Sequence, residues 1–357
     1  MSGYILLRQD SIPEKPNYNA ALKAALAIFG EATDPDYARS LLPCAGYVQD
    51  AAFWAFVERE DDGFVLQIST GMVEQAEQLW AAACSDDVFL AGAGQRFASD
   101  AEQMAYQSLS WLIQHELHHI ILNHFDLIDS FRIAETRNAP RFGLTRQSKV
   151  KPAPLIKLPA ELRPHVPLCL ELQADHDAAE IELGAYSSED WKNLRHRVTA
   201  ISAMMMLIER EDAKNGETGI THPKAATRIF QLLGHVTEMP LIPAQLHARQ
   251  QGLPAIDPAH SPSKDEINAF GRQVTIPSFF DAVSLARVAG ADSISIDLGE
   301  PEDFFRDIQI AKAADPSRFA DLRTAGARQW AELVLKNEEL KTYQNLPTGL
   351  DEETPIS

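Results

Sequence analysis

The run His115-Glu116-Leu117-His118-His119 carries the most specific chemistry in this sequence. On a helix, positions i and i+4 lie one above the other on the same face. His115 and His119 are therefore spaced to offer two imidazole nitrogens to one divalent ion. Glu116, one position round, is placed to reach a metal-activated water instead of the metal itself. Zinc lowers the pKa of such a water towards about 7, and an adjacent carboxylate can take its proton as it attacks a carbonyl. The competing reading is an accidental string on a structural helix. His118 points about 100° away from the ligand face and is expected to be packed or supporting. His124 is expected to mark the helix end.

A catalytic zinc needs a third protein ligand and one open position. The best candidate is Glu171, in Leu170-Glu171-Leu172-Gln173-Ala174-Asp175-His176. Leu168, Leu172, Ala179 and Leu183 mark this helix as buried, and an unpaired carboxylate there would be costly. Ligation removes that cost. Asp175, one turn on, can accept the free N–H of a ligating histidine and fix its tautomer. Asp175 and His176 stay open as rival ligands, as does a helix with no metal role.

Downstream stand Thr221-His222-Pro223 and Arg228. Alone, they read as an ordinary helix start followed by a helix-body arginine. Beside a zinc centre, His222 can donate to a developing oxyanion. Arg228 can hold Glu171 or Asp175 by a charge-assisted bond.

These groups need helices to carry them. Ala105, Leu109, Leu112, Ile113, Ile120 and Ile121 recur at helical spacing over about 100–124, with Asp100 as a suitable N-cap. Further helices are expected over 72–83, 168–183, 191–211, 224–233, 279–288, 302–313 and 319–340. The apolar run around Met204, Met205 and Met206 reads as buried helix, not a methionine-rich binding surface. A hairpin is expected over 51–69, turning at Asp61-Asp62-Gly63. From Arg132 to Pro167 the chain becomes basic and proline-punctuated. That segment is either a mobile insertion or a substrate-contacting flap.

Composition sets wider bounds. The 357 residues are 45% apolar and 23% charged, as in an ordinary globular protein. A net charge of -19 disfavours a nucleic-acid partner. Cys44, Cys84 and Cys169 are scattered and form no C-x-x-C pair, so a reducing cytoplasm is the expected location. No signal-peptide pattern or membrane span is expected.

The ordered set His115-Glu116-x-x-His119, Glu171-x-x-x-Asp175 and Thr221-His222-Pro223 with Arg228 resembles the gluzincin metallopeptidases. The resemblance is specifically to the branch of the CAAX prenyl proteases and their bacterial heat-shock relatives. The stretch Ile68-Ser69-Thr70-Gly71-Met72 is similar to the strand-to-helix entry of those enzymes, and the resemblance covers residues 64–233. It implies zinc held by His115, His119 and Glu171, Glu116 as base, and support from His222 and Arg228. It also implies substrate bound in extended form along an edge strand, here 64–69. The relatives mostly span membranes. A chain without spans, carrying an insertion between His119 and Glu171, is more similar to the soluble phage-exclusion peptidases.

The expected fold is α+β and predominantly helical. An N-terminal segment (1–50) precedes a zincin-like metallopeptidase domain (51–236) that has a small N-terminal β-sheet and contains the basic loop 132–167. A linker (237–264) and a helical C-terminal region with an acidic tail (265–357) follow. The expected activity is zinc-dependent hydrolysis of peptide bonds in a cytoplasmic protein substrate. Alternatives are a regulated defence or toxin effector and a catalytically silent, zinc-containing interaction protein.

Overall fold

Capping and apolar spacing account for most elements of the computed structural model, which describes residues 16–32, 44–60, 63–92, 96–131, 145–146 and 158–344. Helix α1 (Pro16–Ala32) buries Tyr18, Leu22, Ala25, Leu26 and Phe29, which share one face. Strands β1 (Cys44–Val48), β2 (Ala55–Glu60) and β3 (Gly63–Ser69) follow. The expected hairpin forms between β2 and β3, with Glu60 opposite Gly63. Strand β1 runs parallel to β3, and a two-residue β4 (Thr145–Arg146) runs parallel to β2. The sheet order is therefore β1-β3-β2-β4.

That order corrects one expectation. Residues 64–69 do not form an edge strand, because β1 and β2 take the two sides of β3. The hydrogen-bonding capacity of β3 is used within the sheet. Strand β1 lies far enough back in the chain that no local pattern announces the pairing.

Ser69 ends β3 and starts helix α2 (Thr70–Ala83). Its hydroxyl accepts from Met72 N at 3.1 Å and from Trp54 N at 3.1 Å. At Gly71 a Cβ would fall 2.2 Å from the Ala51 carbonyl oxygen, so only glycine lets the 50–52 segment cross here. After α3 (Asp87–Ala91) comes α4 (Ala101–Ile121), N-capped by Asp100 as expected. Helix α4 packs against α1 and α2, and against two helices described next. It breaks at Leu122 and Asn123, Asn123 adopting a positive φ of 57°, and α5 (His124–Phe131) begins.

Helices α6 (Val166–Leu183), α7 (Trp191–Asn215) and α8 (Ala225–Glu238) complete the surroundings of α4. The methionines of α7 are buried, as expected. Trp80 donates to the Ser108 hydroxyl at 2.9 Å, and Ser108 donates to the Ala200 carbonyl at 2.8 Å, tying α2, α4 and α7 together. Within 237–264 the chain forms a short turn and helix α9 (Ile242–Gln250), with Ala244 and Ala248 buried.

The C-terminal part comprises α10 (Lys264–Phe270), α11 (Ile276–Val288), α12 (Asp292–Leu298), α13 (Pro301–Lys312) and α14 (Ala325–Gln344). One buried apolar cluster runs from Tyr18 to Ala331, so these helices share the core of the earlier ones. Arg195 of α7 makes a paired contact with Asp281 of α11, at 2.6 and 2.7 Å. The fold is thus predominantly helical α+β with a small N-terminal sheet. Among the described residues, no helix is long and apolar enough to cross a membrane. The acidic tail at 351–353, Asp61, Asp62 and basic-loop residues 132–144 and 147–157 lie outside the described residues.

Candidate metal centre

Helix α4 is buried along almost its whole length, which lets its two histidines face the interior. His115 Nε2 and His119 Nε2 lie 3.3 Å apart. Helix α6 brings Glu171 to both, with Oε2 at 3.1 Å from His115 Nε2 and Oε1 at 3.5 Å from His119 Nε2. All three residues are buried. Ligands at about 2.1 Å on a tetrahedral ion sit about 3.4 Å apart, so this triangle has the size that such an ion requires. The group is therefore positioned to hold a metal ion.

Partners behind the ring nitrogens decide which atoms face the centre. His115 Nδ1 lies 2.9 Å from Asp175 Oδ1. Charge holds that contact more than alignment does, since Nδ1 lacks a well-aligned acceptor. Arg228 in turn grips Asp175 with two donors, Nε at 2.7 Å and a terminal nitrogen at 2.6 Å. Arg228 therefore holds Asp175 and not Glu171. Its guanidinium also lies 5.6 Å from the Trp111 ring centre.

For His119 the support comes from residues not assigned a role in the sequence. His119 Nδ1 lies 2.8 Å from His124 Nδ1, and His124 Nε2 lies 3.1 Å from Gln173 Oε1. Gln173 Nε2 donates to Asn337 Oδ1 of α14 at 2.5 Å. Burial pushes His124 down to about 4, so its ring is neutral at pH 7. A neutral His124 that donates from Nε2 to Gln173 must accept at Nδ1. His119 then donates from Nδ1 and keeps a lone pair on Nε2, which is the form a metal binds.

Burial alone would lower the pKa of His115, but Asp175 and Glu171 override it and raise it to about 10. Burial likewise works against ionised Glu171, yet His119, His222 and His115 hold its carboxyl well below the usual range. The electrostatics of the cluster thus favour a cation beside an ionised Glu171.

Glu116 is buried beside this triangle and faces β2, where the Val57 backbone N–H donates to its carboxylate. Its Oε2 has no partner. Burial raises its pKa to about 7. The strand that borders the site is therefore β2. On its outer side β4 pairs with Glu58 and Arg59, and no described strand pairs with Ala55, Phe56 or Val57 there.

His222 reaches the same space, with Nε2 at 3.8 Å from Glu171 Oε2. Its Nδ1 lies 3.0 Å from Asp212 Oδ2, at the end of α7. Burial disfavours its charged form, but Glu171 and Asp212 prevail and raise its pKa. His118 donates from Nδ1 back to the Gln114 carbonyl at 2.6 Å and takes no part in the triangle. His176 is half-exposed and also outside it. No protein-family model, curated protein or solved structure matches this chain.

Proposed function

We propose that this protein is a zinc-dependent endopeptidase of gluzincin type, acting on a cytoplasmic protein substrate. The observation that carries the reading is the triangle of His115, His119 and Glu171 with the partnerless oxygen of Glu116 beside it. Two imidazoles and one carboxylate suit zinc, and three ligands leave a coordination position open. A structural site closed by four ligands would have no use for Glu116.

When bound, zinc supplies a Lewis acid for the scissile carbonyl and lowers the pKa of the attacking water. Glu116 takes the proton from that water and returns it to the leaving amine. Its carboxyl, raised to about 7 by burial, is poised for both transfers near neutral pH. His222 donates from Nε2 to the oxygen that gains negative charge, and Asp212 fixes the ring for that task. Asp175 and Arg228 hold His115, while His124, Gln173 and Asn337 hold His119. An extended substrate has a backbone partner in the outer edge of β2 at Ala55, the Val57 N–H being taken by Glu116.

The test is Glu116→Gln, assayed against a proteome-derived peptide library with zinc measured in parallel. Hydrolysis should fall by roughly a thousandfold or more, with zinc content unchanged from wild type. A variant that retains wild-type hydrolysis removes Glu116 from the mechanism.

A further inference from the structure

A second histidine–carboxylate cluster lies outside the buried centre. His176 and Glu180 stand one turn apart on α6, and His235 faces them from α8. His176 Nε2 lies 3.4 Å from Glu180 Oε1, and His235 Nδ1 lies 3.9 Å from the same oxygen. The two rings are 5.5 Å apart and nearly perpendicular, at 85°. One donor atom from each residue falls within 4.8 Å of the other two. These separations approach the spacing of about 3.4 Å that ligands adopt round a tetrahedral ion. Side-chain exposure differs, at 45% for His176, 54% for Glu180 and 11% for His235. The cluster is therefore open to solvent yet anchored on one largely buried ring.

The geometry points to a second divalent-metal site at His176, Glu180 and His235, of a class that takes zinc and related transition ions. Imidazole donors select against magnesium and calcium, which prefer all-oxygen shells. With two ligands on α6 and one on α8, a bound ion clamps these helices together. The same two helices carry Glu171, Asp175 and Arg228.

His176 and His235 also line a cavity of about 500 Å³ together with Gln173, Glu238 and Asn337. Gln173 and Asn337 belong to the chain of hydrogen bonds that ends on His119. The site thus opens on the side chains that orient the buried centre, but it shares no ligand with that centre.

Calorimetric titration of the metal-free full chain with Zn²⁺, repeated with Mg²⁺, tests the assignment. Wild type should take up two zinc ions of different affinity and no Mg²⁺ at these positions. His176→Ala/His235→Ala should lose one of the two or bind it about 100-fold more weakly, and should keep the other. Glu171→Ala should do the converse, losing tight binding while retaining the ion that depends on His176 and His235. His176→Gln, at an exposed position, is the milder variant should the double substitution perturb folding; it should weaken the same ion. Equal zinc stoichiometry and affinities in wild type, the double variant and His176→Gln would overturn the proposal. So would a single zinc ion in wild type that disappears in Glu171→Ala. Failure of the buried centre alone would instead leave the His176-dependent ion in every chain that retains those ligands.

Discussion

Asp175 shows how much depends on one buried side chain. It lies under His115 and is neutralised by two hydrogen bonds from Arg228. Burial works against its ionised form, but Arg228 and His115 more than offset that and keep its pKa low. Removing the guanidinium would strand a charge in a low-dielectric interior, which typically costs about 3–5 kcal/mol. Arg228→Ala should therefore lower unfolding stability by that order in urea titrations. A loss within about 0.5 kcal/mol, the size typical of an inconsequential surface substitution, would show that Asp175 finds another partner or a proton at little cost. The grouping of His115 with His119 was legible in the sequence because i, i+4 spacing maps directly onto one helical face, and Glu171 stood out as a carboxylate on a buried helix that needs a partner. Asp212 and Gln173 were not. Each meets its histidine only through the packing of separate helices, and neither sits in a telling local pattern.

At the level of elements, α14 is connected to the candidate metal centre. Asn337 accepts from Gln173, Gln173 accepts from His124, and His124 accepts from His119. Partners behind a ligating histidine commonly change metal affinity by about 10–100-fold. Asn337→Ala should weaken zinc binding by about tenfold in a chelator competition, although Asn337 lies outside the ligand triangle. Unchanged affinity would mean that His124 orients His119 without help from α14. Helices with an N-cap and regular apolar spacing, such as α2 and α4, were readable from the sequence. The placement of β3 was not, because pairing between strands depends on segments distant in the chain. His124 was expected at the helix end, where it lies, but its contact with His119 was missed for a related reason. It follows a helix break at Asn123, and the break turns its ring back onto His119.

Across the whole molecule, buried neutral histidines link stability to pH. His196 packs 4.8 Å from Phe97 by ring centres and lies near Lys192, Arg195 and Arg197. Burial, followed by these cations, lowers its pKa to about 4, whereas an unfolded histidine titrates near 6.5. Between these values the unfolded chain binds more protons, so stability falls as pH drops through that window. Above about 6.5 the contribution is fully present, and below about 4 no further loss arises from this residue. His196→Phe preserves a ring against Phe97 and should flatten the decline between pH 7 and pH 4.5 in urea melts. Parallel declines in both proteins would exclude His196 as a source.

The proposed metal site at His115, His119 and Glu171 is tested most directly by the zinc that stays with the protein through gel filtration. Wild type should retain about one tightly held ion per chain, and Glu171→Ala should lose most of it while remaining folded by circular dichroism. A folded Glu171→Ala protein that keeps as much zinc as wild type would contradict the assignment of that carboxylate as the third ligand.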